Sequence, residues 1–245
     1  MNPRLPWALA GAAVLLEVPY PLVDGELRDV LTIAAVVAFF LAVITHAVAW
    51  RGAAYAVLLV LVTAGGGLLV EAIGTRTGRP FGRYTYSGTL GPAVLGVPAV
   101  IPLAWTMMGY PALLAARRIA AGRTARLLLG AVALASWDLF LDPQMVTAGH
   151  WRWDAVGVVL PGVAEIPLTN FAGWAVVALA MMAALSRLPD RPDVDDRPMH
   201  ALYLWTYGSS VLLNLAWLRR RTVAAWGGAA MGTVALPLAF SLRRR

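Results

Sequence analysis

Four carboxylates lie within or against long apolar runs of this chain: Glu71, Asp138, Asp142 and Glu165. An ionisable group at such depth is expensive in a hydrocarbon setting and points to a partner or to chemistry. Asp138 and Asp142 stand four residues apart, so on a helix they share a face. If both were ionised they would repel, which favours one proton held between them. A carboxylic acid kept protonated in an apolar pocket can serve as a general acid. Structural roles compete with that reading. Asp142 can end a helix before Pro143, Asp138 can pair with an Arg, and Glu71 can bridge to Arg76, Arg79 or Arg83. Glu165 can sit at a helix N-terminus, where the macrodipole favours negative charge.

Aromatic residues crowd the same stretches: Phe81, Tyr84, Tyr86, Trp105, Trp137, Phe140, Trp151, Trp153, Phe171 and Trp174. Any one of them fits the aromatic belt of a membrane interface. Beside buried acids they fit a second use, because ring faces stabilise cations, including a carbocation formed when an acid protonates an alkene away from water. Acid and aromatic cage together suggest isoprenoid chemistry. His46, His150 and His200 fall on separate segments without ligand spacing, and the chain has no cysteine, so no metal site is expected.

The elements that must position these groups are membrane helices. Of 245 residues, 60% are hydrophobic and only 13% charged, about half the charged share of a soluble domain. Apolar windows place spans at about 5–23, 29–50, 53–73, 94–116, 124–142, 166–187, 200–218 and 222–241. The expected fold is all-α: a polytopic transmembrane helical bundle of seven or eight helices, one integral membrane domain over residues 1–245, multi-pass in the cell membrane. All basic residues are Arg and gather at span ends, so the net charge of +7 reflects topology and not nucleic-acid binding. The connections Gly74 to Pro92 and Pro143 to Glu165 mix Gly, Pro, aromatics and charge, a composition suited to folding back into the interface. Ser186 to Pro198 reads as a solvated loop. Pro92, Pro98, Pro102 and Pro111 in the fourth span predict a kink, with irregular backbone lining a protein-enclosed cavity. Gly65 to Gly67 permits close helix approach.

The run from Glu71 through Arg83, Tyr84 and Tyr86, followed by Leu90-Gly-Pro92, Gly96-Val-Pro98 and Pro102, resembles the membrane carotenoid hydratases of bacteria and archaea. So do Trp137-Asp-Leu-Phe-Leu-Asp-Pro143, Gly149-His-Trp-Arg-Trp153 and Pro167-Leu-Thr-Asn-Phe-Ala-Gly-Trp174. These stretches span about residues 71 to 174. A departure is Ala164-Glu165-Ile166-Pro167, which leaves Glu165 without support from the resemblance. The resemblance implies addition of water across the terminal C1,C2 double bond of an acyclic carotenoid ψ-end, giving a tertiary alcohol with no cofactor. Asp138 or Asp142 would donate the proton and Glu71 would position water. Tyr84, Tyr86, Trp105, Trp137, Trp153 and Trp174 would line the pocket, and Asn170 and Arg83 would orient these groups. The implied partners are the carotenoid, water and membrane lipid, together with other carotenoid enzymes. A carotenoid cyclase would use nearly the same residues and quench the cation with an internal alkene. A membrane prenyltransferase and a proton-coupled transporter are further readings of the same acids.

Overall fold

The computed structural model describes residues 4–191 and 193–243. Its helices are α1 (Leu5–Glu17), α2 (Gly25–Arg51), α3 (Ala53–Val60), α4 (Gly66–Thr77), α5 (Val100–Ile119), α6 (Arg123–Thr147), α7 (Leu168–Leu185), α8 (Arg197–Leu212) and α9 (Arg221–Arg243). A π-helical turn over Leu61–Gly65 joins α3 to α4, and another over Leu213–Trp217 extends α8. Among the described residues, six segments are long and apolar enough to cross a membrane: Leu5–Leu22, Gly25–Arg51, Ala53–Thr77, Arg123–Thr147, Leu168–Leu185 and Arg221–Arg243. The bundle is all-α, as composition and periodicity predict.

Helix α5 is the centre of the bundle, with its residues buried almost without interruption from Trp105 to Ala116. Hydrophobic side chains gain little by leaving lipid for protein, so contact rests on close packing at small residues. Gly67 in α4 is one such point: a methyl group there would lie 2.5 Å from the Trp105 ring of α5. Gly65 and Gly66 have no comparable neighbour, so the expected close approach narrows to a single glycine. Gly227 in α9 faces Phe140 of α6 in the same way, at 2.6 Å. Gly227→Val would force Phe140 out of place, and overpacking of this kind costs about 1–3 kcal/mol. A drop of several degrees in the melting temperature of the detergent-purified protein is the expected result; an unchanged melting curve would show that α9 can move away freely.

Three short antiparallel ribbons interrupt the helices. Strand β1 (Tyr84–Tyr86) pairs with β4 (Trp151–Trp153), β2 (Ala93–Val94) with β3 (Val97–Pro98), and β5 (Val159–Leu160) with β6 (Val163–Pro167). The two connections expected to fold back into the interface are joined to each other by the β1–β4 pair. The fourth span starts six residues later than its apolar window predicts. Residues 93–98 instead form the β2–β3 hairpin, which turns at Leu95 and Gly96, both at positive φ. Pro92 and Pro98 thus lie before α5, while Pro111 lies inside it. Helix α6 in turn does not end at Asp142. It runs through Pro143 to Thr147, and the Pro143 carbonyl accepts hydrogen bonds from Thr147 and Arg220.

The stretch from Ser186 to Pro198 is docked and not merely solvated. Buried Arg51 donates twice to the Asp196 carboxylate at 2.8 and 2.9 Å, and His46 hydrogen-bonds the Asp195 carbonyl at 2.9 Å. This clasp ties the C-terminal end of α2 to the start of α8. The four carboxylates singled out above stand at the other end of the bundle.

Candidate active site

The third span brings Glu71 to the site by a run of spaced residues. Gly67 and Glu71 are one turn apart on α4, and the missing side chain at Gly67 leaves room for the Trp105 indole, whose Nε1 donates to Glu71 Oε1 at 3.0 Å. Gly74, one turn further, leaves room for Phe81 and the Tyr84 hydroxyl. Tyr84 and Tyr86 both donate to Glu71 Oε2, Tyr86 at 2.9 Å. Alternation along β1 directs these two rings to one face and Thr85 to the other. Burial, and after it the charge of Glu71, raises both phenols above their ordinary range, so they remain neutral donors. None of Arg76, Arg79 and Arg83 bridges to Glu71. Its three partners are uncharged, and all three donate.

The fifth span supplies the acid pair. Asp138 is fully buried and Asp142 is 3% exposed. Asn170, near the start of α7, donates through the same Nδ2 to Asp138 Oδ2 at 2.8 Å and to Asp142 Oδ2. One amide nitrogen therefore bridges the two carboxyls. Asp142 Oδ1 accepts a further hydrogen bond at 3.1 Å from Nε1 of Trp151 in β4. Asp138 Oδ1 is buried with no hydrogen-bond partner. Neither Asp pairs with an Arg.

Pairing of β1 with β4 sets Tyr84 opposite Trp153 and Tyr86 opposite Trp151. Their rings form one aromatic face across the end of the bundle, with centroids 5.7 Å apart in each pair. Trp174 lies one turn beyond Asn170 on α7. It stacks on Trp105 at 4.1 Å and 13° and meets Trp137 edge to face at 6.1 Å. Such contacts contribute roughly 0.5–1.5 kcal/mol each beyond area burial. They hold the rings in fixed orientation.

These groups border a cavity of about 640 Å³, within the usual range for a small-molecule site. Glu71, Tyr84, Tyr86, Trp105, Trp137, Asp142, Trp151, Trp153, Asn170 and Trp174 lie along one end of it. Asp138 sits behind Asp142 and Asn170, off the cavity wall. Arg83 is exposed and outside the cavity, its backbone carbonyl bonded to Asp154. Trp153 lines the cavity, while its Nε1 is committed to the Phe81 carbonyl at 2.9 Å. Glu165 stands exposed in β6, three residues before α7 begins. It neither caps that helix nor reaches the cavity.

The sequence reading named Trp151 among the aromatics but not among the site residues. Its signal was the alternation Trp-Arg-Trp, which matches Tyr-Thr-Tyr at residues 84–86. A second omission is Glu17, at the far end of the cavity, whose Oε2 accepts from Trp205 Nε1 at 2.6 Å and ties α1 to α8. The cavity mouth at that end is rimmed by the exposed apolar residues Val18, Leu22, Leu212 and Trp217.

Residues 29–237 match the model of a family described as carotenoid biosynthesis protein. The chain belongs to that family. Carotenoid biosynthesis is thus its functional setting, and its apolar helices make it a membrane protein. A stretch of 110 residues is also 36% identical to the bisanhydrobacterioruberin hydratase of Haloarcula japonica, over 43% of this chain and 36% of that protein. The aligned part therefore spans about a third of the hydratase's length. No solved structure matches the chain. The cavity carries Glu71, Asp142 and Asn170 at one end and Glu17 at the other, between walls that are mostly apolar and aromatic.

Proposed function

We propose that the chain is a carotenoid 1,2-hydratase, a multi-pass enzyme of the cell membrane that adds water across the terminal C1,C2 double bond of an acyclic ψ-end. The observation that carries this reading is the grouping of Asp142, Asn170 and Glu71 at one end of an aromatic-walled cavity. The hydratase name of the Haloarcula relative supports it.

In the proposed reaction the ψ-end lies against the rings of Trp105, Trp137 and Trp174. Asp142, which faces the cavity, gives its proton to C2, and the positive charge develops on the tertiary carbon C1. Asp138, bridged to Asp142 by Asn170, is a positioning residue that keeps the proton on the pair. Ring faces near the cation can contribute ~2 kcal/mol when water is absent. A water molecule held by Glu71 attacks C1, its oxygen forms the new C–O bond, and its surplus proton passes to the Glu71 carboxylate. The product is a tertiary alcohol, and solvent returns the proton to the acid pair. No electron leaves or enters the organic skeleton.

The test is expression in cells that accumulate lycopene or γ-carotene, followed by chromatography with mass detection. A mass gain of one water per modified end is the expected result. An isomer of unchanged mass would replace hydration by cyclisation, and unaltered pigment would defeat both.

A further inference from the structure

A second cavity, of about 370 Å³, adjoins the first at Tyr84 and Tyr86. Its walls are Thr75 and Arg76 at the end of α4, Thr85 in β1, and the β2–β3 turn at Leu95 and Gly96. Both tyrosines line both cavities. They are the partition between them, and each also donates its hydroxyl hydrogen to Glu71 Oε2. A phenol oxygen that donates one hydrogen bond still has lone pairs with which to accept another.

The two cavities differ in lining. The larger opens among Val18, Leu22, Leu212 and Trp217, an apolar rim that faces hydrocarbon in a membrane. That rim suits a polyene, and a bound polyene would fill the passage between the mouth and Glu71. The smaller cavity is lined by Thr85, by Thr75, whose hydroxyl donates to the Glu71 carbonyl at 3.1 Å and keeps lone pairs free, and by Arg76, which reaches the Leu95 carbonyl at 3.3 Å. Thr85 is exposed to solvent. At about 30 Å³ of liquid per molecule, this volume has room for roughly ten waters, with polar groups to hold them.

We propose that this smaller cavity is the water vestibule of the enzyme, and that water passes from it across the Tyr84–Tyr86 partition to Glu71 while the carotenoid enters by the apolar mouth. The two reactants of one addition thus arrive from opposite sides of the site. This inference rests on the hydratase reading. It assigns Thr75 and Thr85 a role in supply: neither touches the reacting carbons, and both set how much water stands behind the tyrosines.

The test is Thr85→Trp, which fills the vestibule from β1, with Thr75→Phe filling it from α4. Purified variants in vesicles of neutral phospholipid are given lycopene in D2O, and two quantities are measured by mass detection: hydrated product, and deuterium incorporated into unhydrated carotenoid. Protonation by Asp142 followed by loss of a proton from the cation leaves deuterium without added water, so the second quantity reads the acid step alone. With water starved, hydrated product is expected to fall by about tenfold in either variant, while deuterated, unhydrated carotenoid rises relative to it. An unchanged ratio of the two in variants that remain folded would overturn the vestibule, whether both quantities hold steady or both fall together. Should the parent enzyme form no hydrated product, the hydratase reading itself fails, an outcome distinct from an unchanged ratio.

Discussion

Replacing Asp142 with Asn is expected to remove nearly all hydration, by about 10³-fold, within the range a positioned general acid supplies. Asn keeps the size of the side chain and can still accept from Trp151, so the β1–β4 ribbon should hold and the protein should fold. What is lost is the proton that the proposed reaction delivers to C2. Deuterium incorporation from D2O should vanish together with alcohol formation, because both need the same first step. Asp138→Asn is expected to do less, about tenfold, since Asp138 stands behind the cavity wall and acts through Asn170 and Asp142. A larger loss in Asp138→Asn than in Asp142→Asn would reverse the two roles, and intact product formation in both would remove the acid pair from the mechanism.

Glu71→Gln should separate the second step from the first. The amide can occupy the same space against Trp105 and the two tyrosines, yet it cannot take a proton from attacking water. Hydration should fall by about 10²-fold, while deuterium incorporation into unhydrated carotenoid persists, because Asp142 still protonates the alkene. An unhydrated isomer, heavier by the deuterium it has gained, should accumulate as the cation finds other exits. If Glu71→Gln abolishes deuterium incorporation as completely as Asp142→Asn, Glu71 serves the protonation step and not the water.

Much of this arrangement is legible in the sequence. Apolar run length located the helices because a bilayer admits few alternatives to a satisfied backbone. The four-residue spacing of Asp138 and Asp142 put that pair on one helical face. Less legible was what the acids would touch. Glu71 sits close in sequence to three Arg and bonds to none, because Gly67 and Gly74 open its helix face to Trp105 and Tyr84 instead. Such a choice depends on an absent side chain, and an absence carries no period to detect. The β1–β4 ribbon was hidden for a related reason. Three-residue strands give too short an alternation to register, and their pairing joins residues 84–86 to 151–153 across two helices. The start of α5 was misplaced because the apolar residues 93–98 suit a hairpin as well as a helix once Gly96 takes a positive φ.

The same ribbon divides the work of the chain in an unexpected place. Glu71, Tyr84, Tyr86 and Trp105 all precede the turn between α5 and α6 near Gly122, whereas Trp137, Asp142, Trp151, Asn170 and Trp174 all follow it. The residue that would hold water and the residue that would give the proton are therefore encoded in separate halves of the polypeptide. During synthesis the first half must wait, with Tyr84 and Tyr86 unmatched by Trp153 and Trp151, until some seventy further residues have been made. Neither half holds a reaction centre by itself; chemistry begins only when the later strand closes on the earlier one.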